Sequence, residues 1–198
     1  MQGFVDKLYN ASTELQIDFN IVLYGLKVEI AFWLETLIIL FLCACLHKLQ
    51  EGVVFICSFT FLRSYCGGYH CKTLIQCGLV TIFMVILSCL AEKYVSNLHY
   101  CWIAIPFMYL FIVSPVQNEN QILNAKEIGL YSIYAKIRLM LLLVLYLFLQ
   151  SIRSQIPKGM ILMAMAWLMV LCMFQKYRIR KGVLKNECII SNSSENLR

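Results

Sequence analysis

The stretch "RSYCGGYHCKTLIQC", residues 63–77, places an arginine, two glycines, a histidine and three of the chain's ten cysteines between strongly apolar runs. These are the residue types of thiol chemistry. A cysteine attacks through its thiolate, whose free pKa of about 8.5 falls beside an imidazolium or another cation. His70 is the local base, Cys66, Cys71 and Cys77 are the candidate nucleophiles, and Arg63 and Lys72 supply positive charge.

Spacing narrows the choice among the three thiols without closing it. On one straight helix His70 and Cys77 would be separated by about 10 Å of rise, against about 3 Å for a hydrogen bond. Gly67 and Gly68 lack a β-carbon and permit a bend just before His70. If His70 sits on that irregular segment and Cys77 opens the helix "CGLVTIFMVIL", the chain folds back and the dyad can close. A thiolate there also gains from the helix dipole. Cys66 would adjoin His70 on a helix, but the intervening glycines argue against one. Cys71 points away from its neighbour His70 in most regular conformations. Two blander readings stand beside this one. Cys66, His70, Cys71 and Cys77 are ligands of zinc type, though without a CxxC pair. A plain turn with small residues needs no chemistry at all.

The rest of the chain must hold this stretch in place, and its composition says where. Of 198 residues, 61% are hydrophobic and 14% charged, against roughly 25% charged in an average soluble domain. A membrane-spanning helix needs about 20 mainly apolar residues. Four runs qualify clearly, at 30–46, 78–95, 100–115 and 159–174, and two are shorter, at 52–62 and 139–149, the latter extensible back through Tyr131. The fold class expected is therefore all-α: a polytopic integral membrane helix bundle of about six spanning or partly re-entrant helices. Before it, Phe4, Leu8, Ala11, Leu15, Phe19 and Val22 recur at helical spacing, so residues 1–25 read as an amphipathic interfacial helix. The first apolar run begins too far along, after mixed charge, for a cleavable signal peptide.

Lys and Arg accumulate on cytoplasmic loops. Six spans with both termini inside put 13 of these residues inside, six of them in the tail, and leave four outside: Lys48, Lys93, Arg153 and Lys158. The net charge of +6 follows from this asymmetry and from "KYRIRKGVLK", which suits anionic lipid headgroups rather than nucleic acid. Six cysteines lie within apolar runs, where they act as small hydrophobes. The three in the opening stretch and Cys188 fall on the expected reducing side, where persistent disulfides are rare. Residues 1–176 form one membrane-embedded domain with no internal repeat, and 177–198 read as a basic, disordered cytoplasmic tail. Among acids inside the spans, Glu35 is the candidate for an interior role, since Glu29, like His47, is near a span end.

The pattern Arg63, Gly67, Gly68, His70, Cys77 closely resembles the accessory gene regulator B (AgrB) family, bacterial membrane cysteine endopeptidases that process quorum-sensing propeptides. Size, multispan layout and the amphipathic amino-terminal segment agree. A second landmark, "SPVQNENQIL" (114–123), stands where that family has a segment similar to Ala-Pro-Val-Asp-Asn-Glu-Asn-Lys-Pro-Leu, with Gln117, Gln121 and Ile122 in place of Asp, Lys and Pro. The resemblance implies His70 and Cys77 as catalytic residues and Arg63, Gly67 and Gly68 in support, while Cys66 and Cys71 match no catalytic position. It implies a hydrolase that removes the carboxy-terminal tail of an AgrD-like precursor peptide through a Cys acyl-thioester and promotes cyclisation to a thiolactone or lactone. No metal and no cofactor is expected. Partners would be that peptide and the lipid membrane, with a homodimer left open and no nucleic acid. The location would be the bacterial cell membrane, multi-pass, with the catalytic stretch and both termini cytoplasmic. The competing class is a small membrane transporter or metal-binding membrane protein using Glu35, His47 and the thiols.

Overall fold

The structure is a computed structural model that describes residues 19–69, 71, 73–95, 100–116, 125–152 and 156–195. Residues 1–18, His70, Lys72 and 117–124 lie outside the described residues, and with them most of the expected interfacial helix and most of the second landmark.

The described residues build an all-α membrane helix bundle. In chain order the helices are α1 (Phe19–Cys45), α2 (Leu49–Cys66), α3 (Leu74–Val95), a 3-10 turn (Tyr100–Ile103) leading into α4 (Ala104–Val113), α5 (Ala125–Ser151) and α6 (Gly159–Glu195). Four segments are long and apolar enough to cross a membrane: Val22–Cys45, Leu74–Val95, Lys126–Ser151 and Gly159–Gly182.

The centre of the bundle is α2, the weakest apolar run of the sequence. It packs against α1, α3, α5 and α6. Its Gly52, Phe55, Ser58, Phe59, Leu62 and Cys66 are buried at helical spacing. Four neighbouring helices cover much of it and leave Leu49, Val53, Cys57 and Phe61 as one exposed stripe, so α2 does not need an apolar surface all round. At 18 residues and 1.5 Å per residue it runs about 27 Å, close to the hydrocarbon thickness of about 30 Å. By contrast α1 exposes Trp33, Leu34, Leu37, Ile38 and Phe41, the outward face expected of a helix in lipid.

Two segments depart from the sequence expectation, and a third extends as expected. The run 100–115 is a turn plus a ten-residue helix, about 15 Å long and half of what a span needs. Its bounds are those proline dictates: Pro106 occupies the first turn of α4, where its missing N–H has no helical partner to lose, and Ser114-Pro115 stops the helix. The run 139–149 does extend back through Tyr131, as the end of a 27-residue helix, α5. The tail expected to be disordered continues α6 as helix to Glu195. No proline interrupts residues 159–195, and Gly182 is the one glycine after Gly159, so nothing local stops propagation.

In lipid, helices gain little from hiding apolar surface against one another, so close packing and polar contacts hold them together. Trp167 Nε1 on α6 donates to Ser88 Oγ on α3 at 3.0 Å. Arg138 on α5 donates to the Phe61 carbonyl at 2.7 Å and to Ser64 Oγ at 2.9 Å, with its guanidinium 4.0 Å from the centre of the Tyr65 ring. Both contacts fix helices that surround the 63–77 stretch.

Candidate active site

The glycine pair ends α2 and reverses the chain. Gly67 has φ 73° and Gly68 φ 117°, conformations that favour glycine. Gly67 also lies against the segment that follows α4. The Val116 N–H donates to the Cys66 carbonyl at 2.9 Å, the Gly68 N–H donates to the Val116 carbonyl at 3.4 Å, and a β-carbon on Gly67 would collide with that carbonyl oxygen. The two sequence landmarks are thus physically joined at Gly67 and Val116. The next residue is pinned to α6: the Tyr69 N–H donates to the Leu171 carbonyl at 3.3 Å, and its ring meets Phe174 edge-on with centroids 4.9 Å apart.

After the turn, α3 starts with a side-chain cap. Thr73 Oγ1 accepts the Gln76 N–H at 3.3 Å, the arrangement that satisfies an otherwise unpaired donor at a helix start. Cys77 is consequently in the first turn of α3 rather than at its first residue. Its own N–H donates to the Thr73 carbonyl at 3.2 Å, so only the thiol is available for chemistry. One turn later the Thr81 hydroxyl donates to the Cys77 carbonyl at 3.0 Å.

Arg63, in the last turn of α2, closes the loop. Its Nη2 lies 3.7 Å from Cys77 Sγ and donates to the Tyr69 carbonyl at 3.0 Å. Its guanidinium carbon is 5.3 Å from the centre of the Phe59 ring. One cation therefore touches both ends of the stretch between Tyr69 and Cys77. Arg63 thereby ties Tyr69 to Cys77 across the turn, while His70 lies outside the described residues.

Arg63 and Cys77 share a cavity of about 340 Å³ between α1, α2 and α3. Its lining is largely apolar, with Phe32, Ile39, Phe55 and Phe59, and its polar groups include Glu35, Thr36, Thr60 and Thr81. Cys77 is half-buried on this wall, Cys66 is fully buried under the turn, and Cys71 is intermediate in exposure. Burial and the adjacent Cys77 thiol push the Cys71 thiol above its ordinary range, and Arg63 partly offsets them. Among the described residues no three His, Cys, Asp or Glu side chains are grouped to hold a metal ion.

The family model for accessory gene regulator B matches residues 2–175, nearly the whole chain up to the basic segment of α6. The chain belongs to the AgrB family. Searches against curated proteins and solved structures returned no match. AgrB membership and four apolar helices make it a multi-pass membrane protein, and membership is consistent with a role in accessory gene regulator peptide processing.

The structure brings together Arg63, Gly67, Gly68 and Cys77 from the residues singled out in the sequence, and places Glu35 on the same cavity. Two features lie beyond the residues singled out: Thr81, and the contact made by Val116 of the second landmark. Thr81 carried a usable signal, since it lies four residues after Cys77 on the same helical face. Val116 carried none, because its contact with Gly67 is made through backbone atoms.

Proposed function

We propose that this AgrB-family chain is a membrane cysteine endopeptidase that cleaves the carboxy-terminal tail from an AgrD-like precursor peptide and promotes cyclisation of the product. The proposed domain is residues 1–176, with the reaction at stretch 63–77 and the stretch and both termini on the cytoplasmic side.

His70 accepts the thiol proton of Cys77, and the thiolate attacks one backbone carbonyl of the bound peptide. A carbon–sulfur bond forms as the carbon–nitrogen bond breaks, and the proton held on His70 passes to the departing amine. An acyl-thioester then remains on Cys77. A cysteine or serine side chain within the acyl segment attacks it, the ring closes as a thiolactone or lactone, and the Cys77 sulfur takes back a proton. The ring product needs water to be excluded while the thioester exists. The apolar lining of the 340 Å³ cavity beside Cys77 favours that outcome.

The observation that carries this reading is the Arg63 guanidinium 3.7 Å from Cys77 Sγ on the wall of that cavity. That guanidinium also stands near the negative oxygen that develops two bonds away from sulfur, where preorganised donors have their largest effect on rate.

Co-expression with an AgrD-like precursor, followed by mass spectrometry of the peptide, tests the reading. Cleavage is expected in the wild type and in Cys71→Ala, and is expected to vanish in Cys77→Ala and in His70→Ala. A Cys77→Ala chain that still cleaves would remove Cys77 from the mechanism.

A further inference from the structure

A carboxyl group within an apolar span is expensive to bury, and such residues more often serve a site than fill space. Glu35 of α1 lines the cavity that Cys77 and Arg63 also line. It packs against α3 at the residue next to Cys77: a β-carbon on Gly78 would stand 3.3 Å from Glu35 Oε2. Thr81, whose hydroxyl donates to the Cys77 carbonyl, and Arg63 line the same cavity as this carboxyl. So the carboxyl stands against α3 one residue beyond the thiol, on a cavity wall that Thr81 shares.

A peptide main chain carries a donor and an acceptor on opposite edges, and in an apolar cavity both need partners. This cavity holds an acceptor, Glu35, and a donor, Arg63, among aromatic and aliphatic walls. Its volume of about 340 Å³ is at the low end of small-ligand sites, about 300–1,000 Å³, which suits one peptide residue rather than a folded segment.

We propose that Glu35 is a substrate-binding residue that accepts a main-chain N–H of the peptide beside the bond being cleaved, while Arg63 faces the carbonyl. The assignment rests on the reading of Cys77 as the nucleophile.

The test uses the full chain in lipid vesicles with a synthetic AgrD-like precursor, cleavage being followed by mass spectrometry. Glu35→Leu removes the acceptor without burdening the span, and is expected to raise KM about 10- to 100-fold, the range for losing a hydrogen bond to a charged group. Glu35→Gln keeps one acceptor oxygen and should raise it less. Methylating each main-chain nitrogen around the cleaved bond in turn should find one position that raises KM in the wild type and has no further effect in Glu35→Leu. The rate at which iodoacetamide modifies Cys77 should be the same in both proteins, because Glu35 contacts the peptide and not the thiol. Gly78→Ala, which crowds the carboxyl while leaving Glu35 in place, should raise KM in the same direction and guards against a folding defect in the first variant.

An unchanged KM in Glu35→Leu overturns the proposal, as does an N-methyl effect that persists undiminished in it. Slower iodoacetamide modification would mean that Glu35 acts on the thiol, and overturns it too. Cleavage that survives Cys77→Ala, or is absent from the wild type, instead brings down the functional reading and this assignment with it.

Discussion

Arg63 Nη2 and Cys77 Sγ are 3.7 Å apart although fourteen residues separate them in the chain, and the same nitrogen donates to the Tyr69 carbonyl at 3.0 Å. Arg63 is thus both a strut between the end of α2 and the start of α3 and a fixed positive charge at the candidate nucleophile. Replacing it with lysine keeps the charge but loses the planar fork that reaches two partners at once. Arg63→Lys and Arg63→Ala are both expected to lower kcat/KM for precursor cleavage by about 100-fold or more, the scale of losing a preorganised transition-state donor. The measurement is cleavage kinetics in vesicles, and near-wild-type cleavage by Arg63→Lys would reduce the residue to a charge.

Gly67 and Gly68 should not respond alike to alanine. Both have positive φ, but a β-carbon on Gly67 would also strike the Val116 carbonyl oxygen, whereas one on Gly68 would find Cys172 Sγ at 3.5 Å, an ordinary contact. Strained backbone costs about 1–3 kcal/mol, and Gly67→Ala must in addition break the pairing with Val116. Thermal unfolding in detergent should therefore show a larger loss for Gly67→Ala than for Gly68→Ala. Equal losses would mean that the junction with Val116 contributes nothing.

Cys71 provides a pH-dependent contrast. Its thiol is pushed up by burial and by the Cys77 thiol, with Arg63 opposing. A raised pKa leaves less thiolate at any pH below it, so alkylation of Cys71 should rise only above the pH at which an ordinary cysteine, pKa about 8.5, becomes reactive. Peptide-resolved mass spectrometry of iodoacetamide modification across pH 7 to 10 checks this. A Cys71 midpoint at or below that of an ordinary cysteine would contradict the placement.

Much of this architecture is legible in residue patterns, and the illegible parts share a cause. The helices that face lipid announce themselves, because lipid demands apolar side chains on every exposed face, as in α1 and α3. The central helix α2 is the faintest run because four neighbouring helices cover much of it and only one stripe is exposed. The apolar run that became α5 looked short because Lys136 and Arg138 interrupt it, and only the structure shows Arg138 engaged with Phe61, Ser64 and Tyr65. For 100–115 apolar length misled, while Pro106 and Pro115 held the true bounds.

The candidate site divides in the same way. Its residue types and the need for a fold-back were readable from "RSYCGGYHCKTLIQC". The agents of the fold-back were not, because the Val116 and Leu171 carbonyls that pin Gly68 and Tyr69 are backbone atoms from distant elements. Glu35 was visible as an acid in a span. That it stands beside Gly78 is a fact of helix packing between α1 and α3, which no local pattern encodes.

The central claim, that Cys77 carries the peptide as an acyl-thioester, is tested most directly by intact-mass spectrometry of the full chain quenched in acid during turnover of a synthetic AgrD-like precursor. The account predicts an adduct equal to the acyl segment of the peptide, mapped to Cys77, released by hydroxylamine and missing from Cys77→Ala. An adduct on Cys66 or Cys71, or cleavage by Cys77→Ala at the wild-type rate, would contradict it.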